Sequence, residues 1–418
     1  MHFSLEQGHP TGMTIRRQLP ALVTVLTLGW AAPAWAQKVT TVEGLTLEQT
    51  LVTMANPLGA RPIGQSIGLT TALEIATQPL ASSSGGFVFK LDPATGLLAR
   101  VSSTFGPSFT ERALTAGEGD VSMGATFSQT SYDRLSKFGL NNLPLGTFVG
   151  RNAANTRTGT GDFHISSRTL VLSGKVGVTP KVDVGVIVPL ISIKFEGTTA
   201  VTLANGVVAR LAETSGVYSG IGDIAAQAKF KVAKLPGPDI PDPGGLALML
   251  TMRLPTGDRH NLRGLGVTRT LASTSFSAGK GPFKPHFTVG YEFWSKSVDM
   301  PTASAAGALV KVRHQVQLAG GFEIEAHPKV TLLLDFLGQK IRKGGEEGVV
   351  SDPLNTGDFS AVQSMVLLPE GILKGIVVPG IKVNLKGKLL LSLNALVTMK
   401  NNGLHSKVTP VVGLNLTM

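Results

Sequence analysis

The chain has 418 residues, 50 glycines, no cysteine and a formal net charge of +11. Without cysteine it cannot be a small secreted domain held together by disulfides. Charged residues make up 16% of it and its mean hydropathy is +0.21, whereas soluble domains carry about 25% charged residues. The basic residues do not cluster with aromatic ones, so we expect no nucleic-acid partner. In an exported chain, the excess positive charge favours anionic lipid phosphates or an anion-attracting lumen.

The N-terminus has the features of a Sec-type secretory signal. A basic pair precedes an apolar run over residues 19–35, and Ala34-Trp35-Ala36 fits the small-x-small cleavage pattern. We therefore predict that residues 1–36 form the signal peptide, that translation starts at Met13, and that the mature chain begins at Gln37. Export of this kind is compatible with the outer membrane of a Gram-negative bacterium.

The mature chain has no apolar stretch near the roughly 18 residues that a membrane-spanning helix needs. A closed β-barrel is the other backbone that satisfies its hydrogen bonds in lipid. Its strands alternate apolar and polar side chains with a period of two. In the clearest segment, the predicted lipid face is Val310, Val312, Val316, Leu318, Phe322 and Ile324, and the predicted lumen face is Lys311, Arg313, Gln315, Gln317, Glu323 and Glu325.

The alternation predicts an all-β fold, a closed antiparallel transmembrane β-barrel of about twelve strands over residues 119–418. The strands are predicted at 119–133, 162–178, 182–196, 218–233, 244–256, 267–280, 283–298, 308–326, 328–342, 372–386, 388–400 and 404–418. Tight turns alternate with long connections at 134–161, 197–217 and 343–371, which is typical of bacterial barrels. The even number of strands places both chain ends on the short-turn, periplasmic side.

Residues 37–118 lack the strand pattern. They contain a predicted helical turn around Leu73 to Ala76 and a predicted hairpin from Phe87 to Val101. A barrel of twelve strands has a lumen with room for a plug or a narrow passage. We expect this segment to plug the lumen, and the alternative is a periplasmic extension.

Several short motifs resemble the phenol meta-pathway degradation (MetA-pathway) family of outer-membrane proteins, in order and over almost the whole mature chain. They are the residues 83–87, 92–96, 105–109, 111–114, 178–185, 219–223, 254–258, 290–293 and 409–413. The resemblance implies a barrel grouped with outer-membrane importers of fatty acids and aromatic hydrocarbons, and a role associated with aromatic catabolism. The chain departs from outer-membrane barrels by ending in Met418 rather than an aromatic residue, which puts efficient recognition by the barrel-assembly machinery in doubt.

The candidate site is the polar lining of the lumen. Its predicted members are Asp223, Lys229, Lys231, Arg253, Lys284, His286, Glu292, Lys311, Arg313, Glu323, Glu325 and Asp335. They either select solutes by charge along a permeation path or pair across neighbouring strands and hold the wall together. In the N-terminal segment, Phe87, Phe89, Phe105 and Phe109 are candidates for an apolar lining, or for packing of the plug against the wall.

No enzyme, metal site or cofactor is expected. His164 and Ser166 have the spacing of a barrel lipase pair, but the residues that would complete the motif and orient the histidine are missing. We predict a passive outer-membrane channel for small, hydrophobic or aromatic solutes. The alternative is a structural or adhesive barrel with a blocked lumen. The predicted partners are outer-membrane lipid, the barrel-assembly machinery and a small-molecule solute.

Overall fold

The computed structural model describes residues 40–41, 44–55, 61–82, 88–91, 97–238, 240, 242–279, 281–301, 309–343, 346–356, 358–368 and 370–418. The predicted signal peptide, Phe87 and the turn at 92–96 lie outside these residues. The region Val39–Met418 forms one compact unit. Within the described residues, no helix has the length and hydropathy to cross a membrane.

The first part of the unit contains helices and short strands. They are β1 (Thr40–Thr41), α1 (Leu47–Ala55), α2 (Arg61–Ala76), β2 (Phe89–Leu91) and β3 (Leu98–Arg100). The predicted hairpin is confirmed, because β2 and β3 pair antiparallel with Phe89 opposite Arg100. The predicted helical turn is the end of α2, and α1 was not predicted.

The remaining elements are strands, apart from a short 3-10 helix at Ala153–Asn155. The strands are β4 (Val121–Tyr132), β5 (Arg134–Leu135), β6 (Phe138–Gly139), β7 (Leu143–Gly150), β8 (Arg157–Thr179), β9 (Val182–Leu203), β10 (Val208–Ile221), β11 (Ala225–Lys234), β12 (Gly244–Arg253), β13 (Arg269–Ala278), β14 (Phe283–Trp294), β15 (Val298–Pro301), β16 (Leu309–His327), β17 (Val330–Arg342), β18 (Glu346–Thr356), β19 (Phe359–Leu368), β20 (Ile372–Lys386), β21 (Leu389–Asn401), β22 (Leu404–His405) and β23 (Val408–Thr417).

The wall of the barrel is a closed ring with twelve strand positions. The order is β4, β8, β9, then β10 and β11 together, β12, β13, β14, β16, β17, β20, β21 and β23. Strands β10 and β11 share one position, because both pair with β9, at its second and first halves respectively. The ring closes where β23 pairs antiparallel with β4. The prediction of a closed antiparallel barrel of twelve strands is confirmed.

The two faces of the wall differ as the alternation predicts. On the outer face, apolar side chains such as Phe230, Leu248 and Phe287 are 48–49% exposed. On the inner face, charged side chains such as Lys229 and Glu292 are buried. An apolar outer band is what a lipid environment requires, because its side chains then contact hydrocarbon instead of water.

One predicted lumen face is partly wrong. Lys311 and Arg313 are exposed on the outer face, and Val312 between them is buried at 0% exposure. The register against β17 shifts between Arg313 and Gln315, and His314 between them has a φ of 55°. This β-bulge moves the alternation by one residue, so side chains before it face the opposite way to those after it.

Two predicted long connections are strands. Residues 197–217 form the ends of β9 and β10, which leave only residues 204–207 between them. Most of residues 343–371 form the hairpin β18–β19, and β19 pairs with β7. We call this side of the barrel the long-loop end, and the side with the turns at 180–181, 328–329 and 387–388 the short-turn end.

The main apolar core lies between the two helices and the inner face of the strands towards the long-loop end. Helix α1 starts at a capping box, in which Gln49 N donates to Thr46 Oγ1 and Thr46 N donates to Gln49 Oε1. The helices approach closely at Gly64, where a Cβ would lie 2.4 Å from Leu51 O. The core includes Leu47, Leu51, Met54, Ile63, Ile67 and Leu73 together with Phe163, Phe195, Trp294 and Ile372 from the strands.

Candidate functional site

The segment that follows β3, residues 101–116, contains no helix or strand and contacts the inner face towards the short-turn end, and we call it the lumen segment. Carboxylates of the wall accept hydrogen bonds from several of its backbone N–H groups. Gly106 N donates to Glu323 Oε2 over 2.8 Å, and Ala116 N donates to Asp183 Oδ2 over 3.0 Å. Asp335 accepts from the backbone of both Ser108 and Phe109.

Charged side chains also join the lumen segment to the wall. Lys229 Nζ lies 2.6 Å from Glu111 Oε2, and both side chains are buried. Arg112 Nη1 lies 3.8 Å from Glu323 Oε2, and Lys382 Nζ donates to Pro107 O over 2.8 Å. Because each charge is buried, breaking one partner of such a pair leaves the other charge without compensation. These contacts therefore hold the segment firmly against the wall.

A buried histidine joins two of these carboxylates. His286 Nε2 lies 2.9 Å from Asp335 Oδ1, and His286 Nδ1 lies 3.7 Å from Glu323 Oε1. The three residues come from β14, β16 and β17, and the register explains their meeting: Glu323 is opposite Lys284, two residues from His286, and Asp335 is opposite Gly321. With a glycine opposite, the Asp335 side chain has room to reach across its neighbouring strand.

A second ionic network lies nearer the long-loop end. Arg269, at 0% exposure, places Nη2 3.3 Å from Asp223 Oδ2 and Nη1 3.6 Å from Glu292 Oε1. Arg253 Nε lies 3.9 Å from Glu292 Oε2. Trp294 Nε1 donates to Glu292 Oε1 over 2.8 Å. Two buried guanidinium groups thus share two carboxylates between strands β12, β13 and β14 and the junction of β10 with β11.

The wall also fastens the end of α2, which has no basic residue in its own last turn. Arg253 Nη1 donates to Ala76 O over 3.1 Å, and Gln339 Nε2 donates to Thr77 O over 3.2 Å. Lys374 Nζ lies 2.5 Å from Glu74 Oε2. Cations stabilise the carbonyl end of a helix, so the wall supplies the charge that the helix lacks.

The wall is interrupted where β10 ends at Ile221 and β11 begins at Ala225. The loop over residues 254–268 packs against this break: Gly257 N donates to Asp223 Oδ1, and Arg263 Nη1 donates to Ser219 O. Partial burial opposes ionisation of Asp258 in this loop, but hydrogen bonds from Asn261 and Arg263 outweigh it and hold the pKa of that carboxyl below its usual value. The loop is therefore tied to the break by polar contacts.

Two cavities of about 90 Å³ each lie inside the barrel. Both are lined by residues 79–81, Phe109 and Arg253, so this stretch of chain lies between them. The first cavity extends to the wall break and combines apolar side chains with charged ones, among them Val171, Ile191, Ile376, Leu396, Val411, Asp223, Arg263 and Arg269. The second is lined by Met249, Leu271 and Leu337 together with polar side chains that include Gln227, Thr251 and Gln339. The first cavity therefore suits a small molecule with an apolar body better than the second does.

The predicted lumen residues fall into three groups. Eight are buried inside the barrel, and they are Asp223, Lys229, Arg253, Lys284, His286, Glu292, Glu323 and Asp335. Lys231 and Glu325 are half-buried at the short-turn end, where they pair with Asp242 and Arg100. Lys311 and Arg313 lie outside, for the reason given above. Most partners come from the lumen segment or from the same network rather than from simple cross-strand pairs.

The candidate aromatic residues also differ in their surroundings. Phe105 is buried against Leu390, and the Arg100 guanidinium lies 5.1 Å from the centre of its ring. Phe109 lines both cavities. Phe87 lies outside the described residues, and for Phe89 only the backbone is described. Packing therefore accounts for Phe105, and only Phe109 among the described rings contacts the empty space.

Sequence reasoning missed several buried charges. Arg269 lies in β13, Lys382 lies in β20, and Asp183 follows a tight turn. Glu111 and Arg112 belong to a segment with no periodicity. A signal was available for Asp183 and Lys382, because each is a lone charge flanked by apolar residues in a strand.

The pair His164 and Ser166 lies away from the lumen. His164 is exposed on β8, and its nearest described ionic neighbour on β9, Glu196, is bound to Lys194 over 2.7 Å. Among the described residues, no group of three His, Asp or Glu side chains is arranged to hold a metal ion.

No protein-family model matches the sequence, and no curated protein is significantly similar to it. The solved structures to which the chain is similar include outer-membrane proteins. The chain covers 98% of the COG4313 outer membrane channel from Pseudomonas putida F1 with 73% of its own length, at 10% identity and a TM-score of 0.43. With 80% of its length the chain covers 95% of a Pseudomonas aeruginosa FadL homologue, at 10% identity and a TM-score of 0.33. With 72% of its length it covers 91% of the P. putida toluene transporter TodX, at 8% identity and a TM-score of 0.32. At these identities and TM-scores, the likenesses assign neither a family nor a function.

Proposed function

We propose that this protein is an outer-membrane channel for passive uptake of small hydrophobic or aromatic compounds. The observation that carries the proposal is the first cavity, whose lining is largely apolar and which lies inside a barrel with an apolar outer face. An apolar solute gains from leaving water for such a cavity, at about 25 cal/mol per Å² of surface buried.

In this proposal the N-terminal segment is a plug that controls passage. Residues 79–81 and Phe109 lie between the two cavities, so a solute passing from one to the other displaces them. Such passage requires the buried contacts between the lumen segment and the wall to open transiently. The predicted partners are the lipid of the outer membrane, the solute and, during assembly, the barrel-assembly machinery.

A structural barrel with a blocked lumen is the rival function. The buried pairs Lys229–Glu111 and Lys374–Glu74, together with the three donors that bind Asp335, favour it because they resist movement of the plug. The two functions differ in whether fastening the plug changes the entry of solutes.

A reversible lock separates them, because the chain has no native cysteine. Ser108 Oγ donates to Asn394 Oδ1 over 2.8 Å, which joins the lumen segment to β21. Ser108→Cys with Asn394→Cys can be closed with a short thiol cross-linker. The control is Ser122→Cys with Thr417→Cys, whose side chains touch between neighbouring wall strands.

Uptake is measured as entry of a labelled neutral monoaromatic compound into cells with an intact outer membrane. The channel predicts that the lumen lock lowers the protein-dependent rate at least about fivefold, that cleavage of the cross-link restores it, and that the wall lock leaves it unchanged. Equal rates in locked and unlocked lumen variants, or no protein-dependent uptake at all, would establish the structural barrel instead.

A further inference from the structure

A group of exposed cations lies on the outer face of the barrel at the long-loop end of β16 and β17. Its members are Lys311, Arg313, Lys340, Arg342 and Lys343, all exposed, and we call them the basic rim. Lys340 and Arg342 stand on the same face of β17 as Leu332 and Phe336, which are 45% and 48% exposed. The rim therefore continues the apolar outer face rather than the lumen.

The rim contains a like-charge pair. Arg313 and Arg342 are direct partners across β16 and β17, and opposed like charges destabilise a sheet. Among the residues that the structure describes, no carboxylate lies within ion-pair distance of either guanidinium. Asp299 stands opposite Lys311 but accepts a hydrogen bond from Ser297 Oγ over 3.0 Å. Within the described part of the chain, the two arginines therefore have no balancing negative charge.

The bulge at His314 is what turns this charge outward. If His314 took part in the regular alternation instead of forming a bulge, Arg313 would share the lumen face of Gln315, as the sequence predicted. His314 takes the left-handed conformation, with φ 55°, which costs free energy for a residue with a Cβ. A strained bulge that places an arginine beside another arginine is difficult to explain by packing alone.

An aromatic group marks the level of the rim. His314 lies 5.8 Å from Tyr291 and 6.1 Å from Phe293, measured between ring centres. Further towards the short-turn end, Val289 is the direct partner of Leu318 on the apolar outer face. Apolar residues, then aromatic rings, then cations is the order found at a membrane–water interface. The rim therefore lies at the height of lipid headgroups.

We propose that the basic rim binds the phosphate groups of a phosphorylated lipid in the outer leaflet, such as the lipid A part of lipopolysaccharide. Guanidinium groups bind phosphate through paired hydrogen bonds, so a phosphate between Arg313 and Arg342 satisfies both and removes their repulsion. Lys340 and Lys343 flank that position and suit a second phosphate. The proposal requires the barrel to lie in an outer membrane, but it does not require transport.

The test uses the full mature protein in neutral detergent. Binding of diphosphoryl lipid A is measured by native mass spectrometry and by the shift of the unfolding temperature, with dephosphorylated lipid A and inorganic phosphate as comparison ligands. The test variant is Arg313→Gln with Arg342→Gln. The control variant is Lys181→Gln with Lys329→Gln, which removes the same charge from exposed positions at the short-turn end.

We expect the wild type to bind the phosphorylated lipid at least about tenfold more tightly than the test variant, and the control to bind within about twofold of the wild type. Without lipid, the test variant should unfold at a higher temperature than the wild type, because the repulsion is gone. Equal binding of both lipid forms, equal binding by the test variant, or displacement of the lipid by millimolar inorganic phosphate would each overturn the proposal.

Discussion

At the scale of single residues, the interior of this barrel depends on charges that compensate one another. Arg269 is the clearest example, because its side chain is fully buried and contacts both Asp223 and Glu292. Its guanidinium centre also lies 5.9 Å from the ring of Trp294. Trp294 is the only tryptophan beyond residue 36, so its fluorescence reports on this network.

Arg269→Met is therefore expected to lower the free energy of unfolding by about 3–5 kcal/mol, because it leaves two buried carboxylates without their shared cation. Guanidinium unfolding in detergent, followed through Trp294 fluorescence, measures the change. Lys400→Met is the control, since Lys400 is exposed and surface substitutions usually change stability by less than about 0.5 kcal/mol. An effect of Arg269→Met as small as that of the control would contradict the proposed importance of the network.

At the scale of elements, the sequence predicts where the strands lie better than it predicts their lengths and which face each side chain is on. The period-two pattern locates the wall because each strand separates lipid from lumen along its whole length. It fails at β16, where one extra residue at His314 reverses the two faces beyond it. It also fails for β9 and β10, whose ends carry polar side chains on their outer face, such as Glu196 and Arg210, and so do not look like lipid-facing strands.

For the helices, the packing against each other could not be predicted from the sequence. Helix α1 is preceded by the capping box of Thr46 and Gln49, which is visible in the sequence, but its partner surface is not. Gly64 illustrates why: a Cβ there would lie 2.4 Å from Leu51 O, whereas a Cβ at Gly68 would make ordinary contacts with Leu51 Cδ1 at 3.4 Å and Leu262 Cδ2 at 3.8 Å. Both glycines look alike in sequence, and only the packed structure distinguishes them.

Gly64→Ala is expected to destabilise the protein by about 1–3 kcal/mol, because the helices must separate. Gly68→Ala is the matched control and should be neutral or stabilising by up to about 1 kcal/mol, since alanine is the better helix former. Thermal unfolding of both variants in the same detergent measures the difference. Equal effects at the two positions would mean that α1 and α2 do not pack as described.

At the scale of the whole molecule, the candidate site is a property of two parts of the chain that are far apart in sequence. The wall contributes Lys229, Glu323 and Asp335, all predicted to be inside. Their partners Glu111 and Arg112 lie in a segment without periodicity, so the pairing could not be predicted. The sequence therefore indicated a polar lumen, while only the structure shows which charges hold the lumen segment against the wall.

The proposal that the N-terminal segment controls passage is tested most directly by single-channel recording in planar bilayers. The comparison is between the wild type and Glu111→Gln with Lys229→Met, which removes both members of a buried pair and leaves neither charge alone. We predict a wild type that is closed with brief openings, and a variant with openings that last at least about tenfold longer. A steady, porin-like conductance of the wild type, or identical traces from both proteins, would contradict the account.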